Sequence, residues 1–362
     1  MSNKLKAGII GATGMVGQRF ITLLENHPYF EPSRLIASPR SAGKTYEEAV
    51  GGRWKLGVPM PEYAKNMIVY NAEDIKNAAD GLDLVFCAVD LNKDDTKKLE
   101  DAYAKAEVAV FSNNSAHRHT SDVPMVIPEI NPGHLELITS QRSRLGTKRG
   151  FIVVKPNCSI QCYVPQLTPL LDMGVEKLVV STYQAISGAG KTFAEWPEMI
   201  DNVIPFIGGE EEKSEREPLR IWGALEDGRV IDRTDVPITA QCVRVPVTDG
   251  HLATVYVSFR DKSLTTDEII RRWKNFSGKP QELGLPSAPA QFITYFSEDN
   301  RPQTGLDRDL WGGMGVSAGR LRRDSAGIFD FKFIGLSHNT LRGAAGGNLL
   351  TAELACREGW LG

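Results

Sequence analysis

The chain has 362 residues, with 42 Lys and Arg against 45 Asp and Glu, so its formal net charge is −3. This length predicts two domains, because single hydrophobic cores stop growing at about 250–300 residues. The balanced charge gives no electrostatic reason to expect nucleic acid or an anionic membrane as a partner. No apolar run approaches the ~20 residues of a membrane span, and no signal-like segment precedes the first predicted strand. The five cysteines are odd in number and lack metal-ligand spacing, so we expect a cytoplasmic protein without a metal.

The first predicted strand, residues 4–10, runs directly into a glycine turn with the spacing GxxGxxG, and a helix-periodic stretch at 18–24 follows. Strand, glycine turn and helix are the context of a dinucleotide site, because glycines let the backbone approach a pyrophosphate at the helix N-terminus. A tight structural turn is the alternative. The predicted cofactor contacts here are Gly11, Thr13, Gly14, Met15 and Val16.

The second predicted strand, residues 34–37, indicates which dinucleotide would bind. NAD-binding folds place Asp or Glu about 20 residues past the glycines to hold the ribose 2′-OH. Here the strand ends instead in Ser38, Arg40 and Ser41, with Lys44 nearby. Hydroxyls and positive charge suit a 2′-phosphate, so the sequence predicts NADP, with an ordinary polar loop as the alternative.

Further short buried strands are predicted at residues 82–89, 107–112 and 124–128, with helix-like polar segments at 72–79 and 93–105. Such alternation predicts a parallel α/β sheet with ligands at the carboxyl ends of its strands. Asn113, Asn114 and Arg118 follow one of those ends. Residues 140–149 are polar and basic, and we expect them to form a surface loop.

Cys158 follows an apolar, strand-like run that begins at residue 151, where a strand end would present a nucleophile. The turn at Pro156 and Asn157 predicts a helix beginning near Ser159, and backbone N–H groups at a helix N-terminus favour thiolate over thiol. A small buried cysteine without chemistry is the alternative, since free Cys is among the most buried residue types.

Longer strands are predicted at residues 177–184, 241–247 and 251–259, which indicates a second domain. Asp249-Gly250 lies between the last two strands and predicts a hairpin that joins them. His251 then begins a strand. An isolated His at that position also fits a structural role, but a thiol that needs a general base favours proton transfer.

Eight segments taken in order identify a family. They are IIGATGMVGQRF, ASPRSAGKTY, SNNSAHR, VVKPNCSIQ, YQAISGAGK, IGGEEEKSERE, VRVPVTDGHLATVYV and HNTLRGAAGGNLLTAE. With them the chain resembles the aspartate-β-semialdehyde dehydrogenases of the fungal and archaeal branch over essentially its whole length. The resemblance implies an α/β fold, in which an N-terminal Rossmann-like dinucleotide-binding domain is joined to an α+β substrate-binding and dimerisation domain. The expected boundaries are 1–157 with 340–362 for the first domain, to which the C-terminal helix returns, and 158–339 for the second.

The resemblance also implies a set of site residues. Cys158 would be the nucleophile, Gln184 would orient the substrate, and His251 would act as acid and base. The implied substrate contacts are Arg244 for a carboxylate, Glu210 or a neighbour in the run 210–212 for an ammonium, Lys213 and Arg118 for phosphate, and Asn157. Further cofactor contacts would be Ser187, Gly188 and Asn339.

The implied reaction is the NADPH-dependent reductive dephosphorylation of aspartyl phosphate to aspartate semialdehyde through a cysteine thioester, in lysine, threonine and methionine biosynthesis, by a homodimer or homotetramer. A malonyl-coenzyme A reductase on the same scaffold would use the same thioester and hydride steps, although Arg118 and Lys213 favour a compact phosphate. A cysteine hydrolase would need Cys158 and His251 but not the glycine turn. A non-catalytic NADP-binding sensor would need the glycines but not the thiol.

Overall fold

The computed structural model describes residues 4–361. The strands are β1 (Leu5–Ile10), β2 (Phe30–Ala37), β3 (Val69–Asn71), β4 (Leu84–Cys87), β5 (Ala109–Ser112), β6 (Phe151–Val154), β7 (Val175–Gln184), β8 (Ala224–Glu226), β9 (Arg229–Ile231), β10 (Ile238–Arg244), β11 (His251–Phe259), β12 (Ile293–Phe296), β13 (Val316–Arg323) and β14 (Phe331–Ser337). The α-helices are α1 (Met15–Leu24), α2 (Tyr46–Val50), α3 (Glu62–Lys65), α4 (Ile75–Ala78), α5 (Lys93–Lys105), α6 (Leu137–Leu145), α7 (Val164–Leu167), α8 (Glu210–Ile221), α9 (Thr266–Asn275), α10 (Lys279–Glu282), α11 (Thr304–Asp307) and α12 (Gly346–Arg357). None of these helices, within the residues that the structure describes, is long and apolar enough to cross a membrane.

The first sheet is parallel and has the strand order β3-β2-β1-β4-β5-β6. This order reverses beside β1, and open α/β sheets bind ligands at such a switch point, at the carboxyl ends of the strands. Both faces of the sheet are covered, because the successive residues Ile9 and Ile10 belong to two different apolar clusters. Helix α12 packs with α1 and β5 on one face, so the C-terminal helix lies on the N-terminal sheet.

The second sheet is mixed and has the order β10-β7-β11-β14-β13-β12. Strand β7 runs parallel to β10 and antiparallel to β11. The carboxyl ends of β7 and β10 therefore lie at the same edge as the beginning of β11. At that edge Gln184 is in register with Arg244, and Leu252, next to His251, is in register with Tyr183.

The fold class predicted from the sequence is confirmed, and so is the helix at residues 93–105. The predicted hairpin between residues 241–247 and 251–259 is wrong, because β7 lies between the two strands and pairs with both of them. The Asp249-Gly250 segment carries the chain across β7 instead of folding it into a two-residue turn. The predicted domain boundaries, 1–157 with 340–362 and 158–339, stay a prediction.

Two further local predictions are wrong. Residues 124–128 form a single bridge, Met125 to Val154, since Pro124 and Pro128 have no N–H to donate to a ladder. Residues 140–149 lie largely in or just after α6, whose buried side includes Ile138 and Gln141. The polar outer face of this helix gives the segment the composition of a loop.

Candidate active site

The glycine turn lies between the carboxyl end of β1 and the start of α1. Gly11 has a φ of 83°, and a Cβ there would lie 2.2 Å from the carbonyl oxygen of Ala88, so glycine is required. Gly14 differs, because a Cβ on this exposed residue would come no closer than 3.4 Å to any other atom. Gly14 is the N-cap of α1, whose first turn is uncharged. This helix end is therefore open to an anion such as a pyrophosphate.

A cleft of about 260 Å³ opens beside the turn and is lined by Gly11, Thr13, Gly14, Ser38, Glu73 and Asp90, among others. Arg40 follows Ser38 on the exposed loop after β2, and Ser41 is buried behind it. Met15 and Val16 form the first turn of α1. The cleft and the open helix end fit a dinucleotide. Sequence reasoning missed Glu73, which follows β3 and gives the cleft a carboxylate that the end of β2 lacks.

Cys158 connects β6 to a short 3₁₀ helix, Ser159–Cys162, and lies where the two sheets meet. Its Sγ is 3.4 Å from Nε2 of His251 at the start of β11. Gly343, in a π-helical turn (Leu341–Ala345) before α12, packs on the other side, since a Cβ there would lie 2.7 Å from Cys158 Cβ. The structure thus brings together the thiol and imidazole that the sequence predicted as a pair.

The thiol of Cys158 is not activated in the way that the sequence predicted. The protein packed around the half-buried residue raises the pKa of the thiol to about 12, and the Glu210 carboxylate adds to this effect. Arg118, Arg244 and Lys213 lower the same pKa by smaller amounts. The expectation that a helix N-terminus would favour the thiolate is wrong, because burial raises the pKa of the thiol and the helix that begins at Ser159 is a 3₁₀ helix of only four residues.

His251 is fully buried and makes a second contact through its other ring nitrogen. The Ala185 backbone N–H donates to Nδ1 at 3.0 Å. Burial lowers the pKa of His251 to about 3, and the positive charge of Arg244 and the nearby His338 ring act in the same direction, whereas a backbone hydrogen bond with Gly250 opposes them. The imidazole is therefore neutral at neutral pH.

Glu210, in the first turn of α8, collects three side chains predicted for the substrate site. Its Oε1 accepts from Asn157 Nδ2 at 2.9 Å and from Lys213 Nζ at 2.8 Å, and its Oε2 accepts from Gln184 Nε2 at 3.2 Å. The sequence could not choose among the three successive glutamates. In the structure, Glu211 instead accepts from the Cys242 backbone and Glu212 pairs with Arg216 at the surface.

Arg244 and Arg118 approach the sulfur from different elements. Arg244 Nη1 donates to the Ala185 carbonyl at 2.7 Å. Arg118 donates through Nε to Lys155 O, through Nη1 to Glu217, and through Nη2 to Asn113 O. These bonds use three of the five N–H groups of the Arg118 guanidinium, which leaves about two for a ligand.

Sequence reasoning missed Glu217, which is fully buried and also accepts the Asn157 backbone N–H at 2.6 Å. It therefore fixes the residue before the nucleophile. The available signal was its spacing of two helical turns from Glu210, which places both carboxylates on one face of α8.

Gly188 lies against the His251 ring, and Ser187 and Asn339 lie beside the turn that precedes His251. Asn339 Oδ1 accepts from the Gly250 N–H at 2.8 Å, and its Nδ2 donates to Ser187 Oγ at 2.8 Å. A Cβ at Gly188 would lie 3.1 Å from the His251 ring and 2.9 Å from Arg244 Nη1. Asn339 thus holds the turn before His251 against the loop that follows β7.

A buried ion pair and a buried lysine lie beneath the site, and neither was predicted. Arg342 and Glu129, both fully buried, form a two-pronged ion pair. Lys155 is 1% exposed, and its Nζ has no hydrogen-bond partner among residues 4–361. Burial and the nearby Arg342 charge lower the pKa of Lys155 well below its usual range. Within the same described part of the chain, no cluster of His, Cys, Asp or Glu is arranged to hold a metal ion.

The glycine turn on the parallel sheet and the Cys158–His251 pair at the edge of the mixed sheet define a two-domain, dinucleotide-binding enzyme of the semialdehyde dehydrogenase class. Residues 6–138 match the semialdehyde dehydrogenase NAD-binding domain, and residues 167–342 match the dimerisation domain of the same name. The chain belongs to the aspartate-semialdehyde dehydrogenase family, so the resemblance seen in the sequence is confirmed.

The full-length similarity supports this membership. The chain is 44% identical over 351 residues to the aspartate-semialdehyde dehydrogenase of Methanothermobacter thermautotrophicus, covering 97% of this chain and 98% of that protein. It is 42% identical over 364 residues to the enzyme of Aspergillus fumigatus, covering 99% of each. The crystal structure of the Candida albicans enzyme with NADP matches with a TM-score of 0.88 and 36% identity, covering 99% of this chain and 100% of that one. Because these relatives are named aspartate-semialdehyde dehydrogenases, the malonyl-coenzyme A reductase alternative is not favoured.

Proposed function

We propose that the chain catalyses the NADPH-dependent reductive dephosphorylation of L-aspartyl 4-phosphate. The products are L-aspartate 4-semialdehyde and phosphate, and the reaction is a step in lysine, threonine and methionine biosynthesis. The observation that most directly supports this proposal is the 3.4 Å contact between Cys158 Sγ and His251 Nε2. Three nearby cations, Arg118, Arg244 and Lys213, also act to lower the pKa of this thiol. A thiol paired with an imidazole suits acyl transfer, and clustered cations suit a doubly anionic substrate.

The thiol of Cys158 attacks the acyl carbon, and phosphate leaves, which produces a thioester on the enzyme. Arg118 and Lys213 are the groups proposed for the phosphate, where they would stabilise the charge on the leaving oxygen. Removal of one such donor commonly costs about 2.7–4 kcal/mol in catalysis. His251, whose Nε2 lies 3.4 Å from the sulfur, is proposed to act as acid and base at the reacting atoms.

Arg244 is proposed to bind the substrate carboxylate. Its Nη1 is held by the Ala185 carbonyl, and its other guanidinium nitrogens have no hydrogen-bond partner among residues 4–361. A planar fork with free donors matches a carboxylate through parallel hydrogen bonds. Glu210, whose negative charge is already oriented by Asn157, Gln184 and Lys213, is proposed for the substrate ammonium.

When bound, NADPH supplies the hydride that reduces the acyl group. Gly11, Thr13, Gly14, Met15 and Val16 are proposed to hold its pyrophosphate side, and Ser38, Arg40 and Ser41 its 2′-phosphate. Ser187, Gly188 and Asn339 are proposed at the nicotinamide side, next to His251. The solved relative with NADP supports this assignment of the cofactor.

The test is the reverse reaction with purified protein, aspartate semialdehyde, NADP and inorganic phosphate. We expect a phosphate-dependent rise in absorbance at the NADPH wavelength, and Cys158→Ala protein serves as the control. Wild-type protein that gives no such rise would overturn the proposed function. Activity with malonyl-coenzyme A and NADPH in its place would support the reductase alternative.

We also propose that the chain acts as a homodimer or homotetramer, which the match of residues 167–342 to a dimerisation domain supports. Sedimentation velocity at micromolar concentration should show a species of twice or four times the chain mass of 39.8 kDa. A monomer across that range would contradict this proposal.

A further inference from the structure

Lys55 connects two surface loops that come from different parts of the chain. It lies in the loop that follows α2, and its Nζ donates to the Gly190 carbonyl at 2.7 Å. The same Nζ lies 2.8 Å from Oε1 of Glu195. Within residues 4–361, every hydrogen bond and ion pair between residues 51–60 and residues 186–199 runs through this ammonium group.

The first of these loops is anchored to the glycine turn by Gln18. This side chain of α1 is fully buried, and its Oε1 accepts from the Lys55 backbone N–H at 2.8 Å. Its Nε2 donates to the Thr13 carbonyl at 3.1 Å and to the Arg53 carbonyl at 2.9 Å. The backbone at Lys55 is therefore held to the turn that is proposed to bind the cofactor pyrophosphate.

The second loop begins at the other end of the proposed cofactor site. Gly190 ends a short 3₁₀ helix, Ile186–Ala189, which follows β7. That helix contains Ser187 and Gly188, which are proposed at the nicotinamide side of NADPH. Lys55 thus links the pyrophosphate end of the cofactor site to its nicotinamide end without passing through the cofactor itself.

The partners of Lys55 are themselves oriented. Oε2 of Glu195 accepts from the Thr192 backbone N–H at 3.0 Å and from the Thr192 hydroxyl at 3.2 Å, so a local turn presents the carboxylate to Lys55. The Lys55 side chain is 20% exposed and that of Glu195 is 43% exposed. An ion pair with this exposure contributes little by itself, but the same ammonium group also satisfies the Gly190 carbonyl.

We infer that Lys55 is a positioning residue for the dinucleotide, which holds the loop that carries Ser187 and Gly188 at the separation from the glycine turn that bound NADPH spans. This inference rests on the cofactor part of the proposed function and deepens it. Ordering of loops at a binding site is part of the free-energy cost of binding. A ligand that contacts both loops therefore binds more tightly when Lys55 already holds them together, whereas a ligand that contacts only the first loop gains nothing.

A fragment of the cofactor separates positioning from a general loss of structure. Adenosine 2′,5′-bisphosphate has the adenine, the ribose and the 2′-phosphate but no nicotinamide, so it can occupy only the side formed by the first sheet. Lys55→Met keeps the alkyl chain and removes the ammonium group. We expect the Kd for NADPH in fluorescence titrations to rise about 5–10-fold, as for the loss of one hydrogen bond and one partly exposed ion pair. The Kd for the bisphosphate in calorimetry should stay within about twofold of the wild-type value.

Three further proteins complete the comparison. Lys55→Arg keeps the positive charge and the N–H donors, so it should bind NADPH more tightly than Lys55→Met does. Lys55→Glu sets two carboxylates against each other, and adding Glu195→Lys to it should restore part of the lost affinity because the ion pair is formed again with its charges exchanged. Lys65→Met is the matched control, since Lys65 pairs with Glu62 inside α3, and it should change neither Kd.

An unchanged Kd for NADPH in Lys55→Met would overturn the inference. An equal rise in the Kd for NADPH and for the bisphosphate would also overturn it, because the defect would then lie in the glycine turn and not between the loops. If Lys55→Met does not fold, Glu195→Lys on the other loop gives the same comparison with the same two criteria. Binding is measured without turnover, so wild-type protein that binds NADPH but does not convert aspartate semialdehyde would overturn only the proposed function.

Discussion

The Arg342–Glu129 pair lies in an environment where loss of either charge has a large cost. Both side chains are fully buried, and Arg342 Nη1 donates to Glu129 Oε1 at 2.7 Å while Nη2 donates to Oε2. The guanidinium also lies 4.6 Å from the centre of the Phe292 ring. Arg342→Met leaves the Glu129 carboxylate buried without its partner.

Breaking a buried ion pair by removing one partner costs about 3–5 kcal/mol in the free energy of unfolding. For domains of roughly 150–250 residues, 1 kcal/mol shifts the melting temperature by about 2–4 °C, so we expect Arg342→Met to lower it by about 6–20 °C. Differential scanning calorimetry at pH 7, with a reversibility scan, measures this shift. The adjacent Gly343 packs on Cys158, so activity should be assayed well below the new melting temperature.

The double variant Glu129→Leu with Arg342→Met tests the reasoning. If desolvation makes the lone carboxylate costly, removal of both charges should restore part of the stability, because apolar replacement of a buried pair is often neutral or stabilising. A double variant as unstable as Arg342→Met, or less stable, would refute the argument from the buried charge.

Further outcomes are expected at three residues, Arg40, Cys158 and Lys155. Arg40→Asp should raise the KM for NADPH much more than that for NADH in steady-state assays, and equal effects would contradict a contact with the 2′-phosphate. Because burial raises the pKa of Cys158 to about 12, iodoacetamide should alkylate this thiol slowly at pH 7 and faster up to at least pH 10. Cys158→Ala should lose turnover yet keep NADPH binding in fluorescence titrations. Lys155→Met should raise the free energy of unfolding at pH 7 by about 1–3 kcal/mol, as expected when an unsatisfied buried donor is removed, whereas the exposed Lys97→Met should change it little. Since folding lowers the pKa of Lys155, the unfolded chain binds a proton that the folded chain does not. The free energy of unfolding of the wild type should therefore rise relative to that of Lys155→Met as the pH rises toward about 10. A difference between the two proteins that stays constant with pH would contradict this.

Local patterns predicted the parts of the fold that depend on local physics. The strand, the glycine turn and the helix at residues 5–24 follow from apolar periodicity and from a backbone that only Gly11 can adopt. Helix α5 ends where its polar pattern ends. The resemblance to a family then supplied the residues that meet around Cys158.

The failures concern partners that are distant along the chain. The Asp249-Gly250 signal could not reveal that β7 separates the strands on either side, because strand pairing is a tertiary choice. Sequence spacing alone could not show that Glu210, and not its two neighbours, faces Asn157 and Gln184. The high pKa of Cys158 depends on the protein packed around it, which no short motif records.

The placement of the reactive pair also has a consequence for refolding. Cys158 follows the edge strand of the first sheet, whereas His251 begins a strand of the second, so neither sheet alone contains the pair. Larger chains fold domain by domain, and pairings between distant segments form slowly. After dilution from denaturant, helical ellipticity should therefore return before catalytic turnover, and the delay between the two would measure the time that the folded halves need to dock.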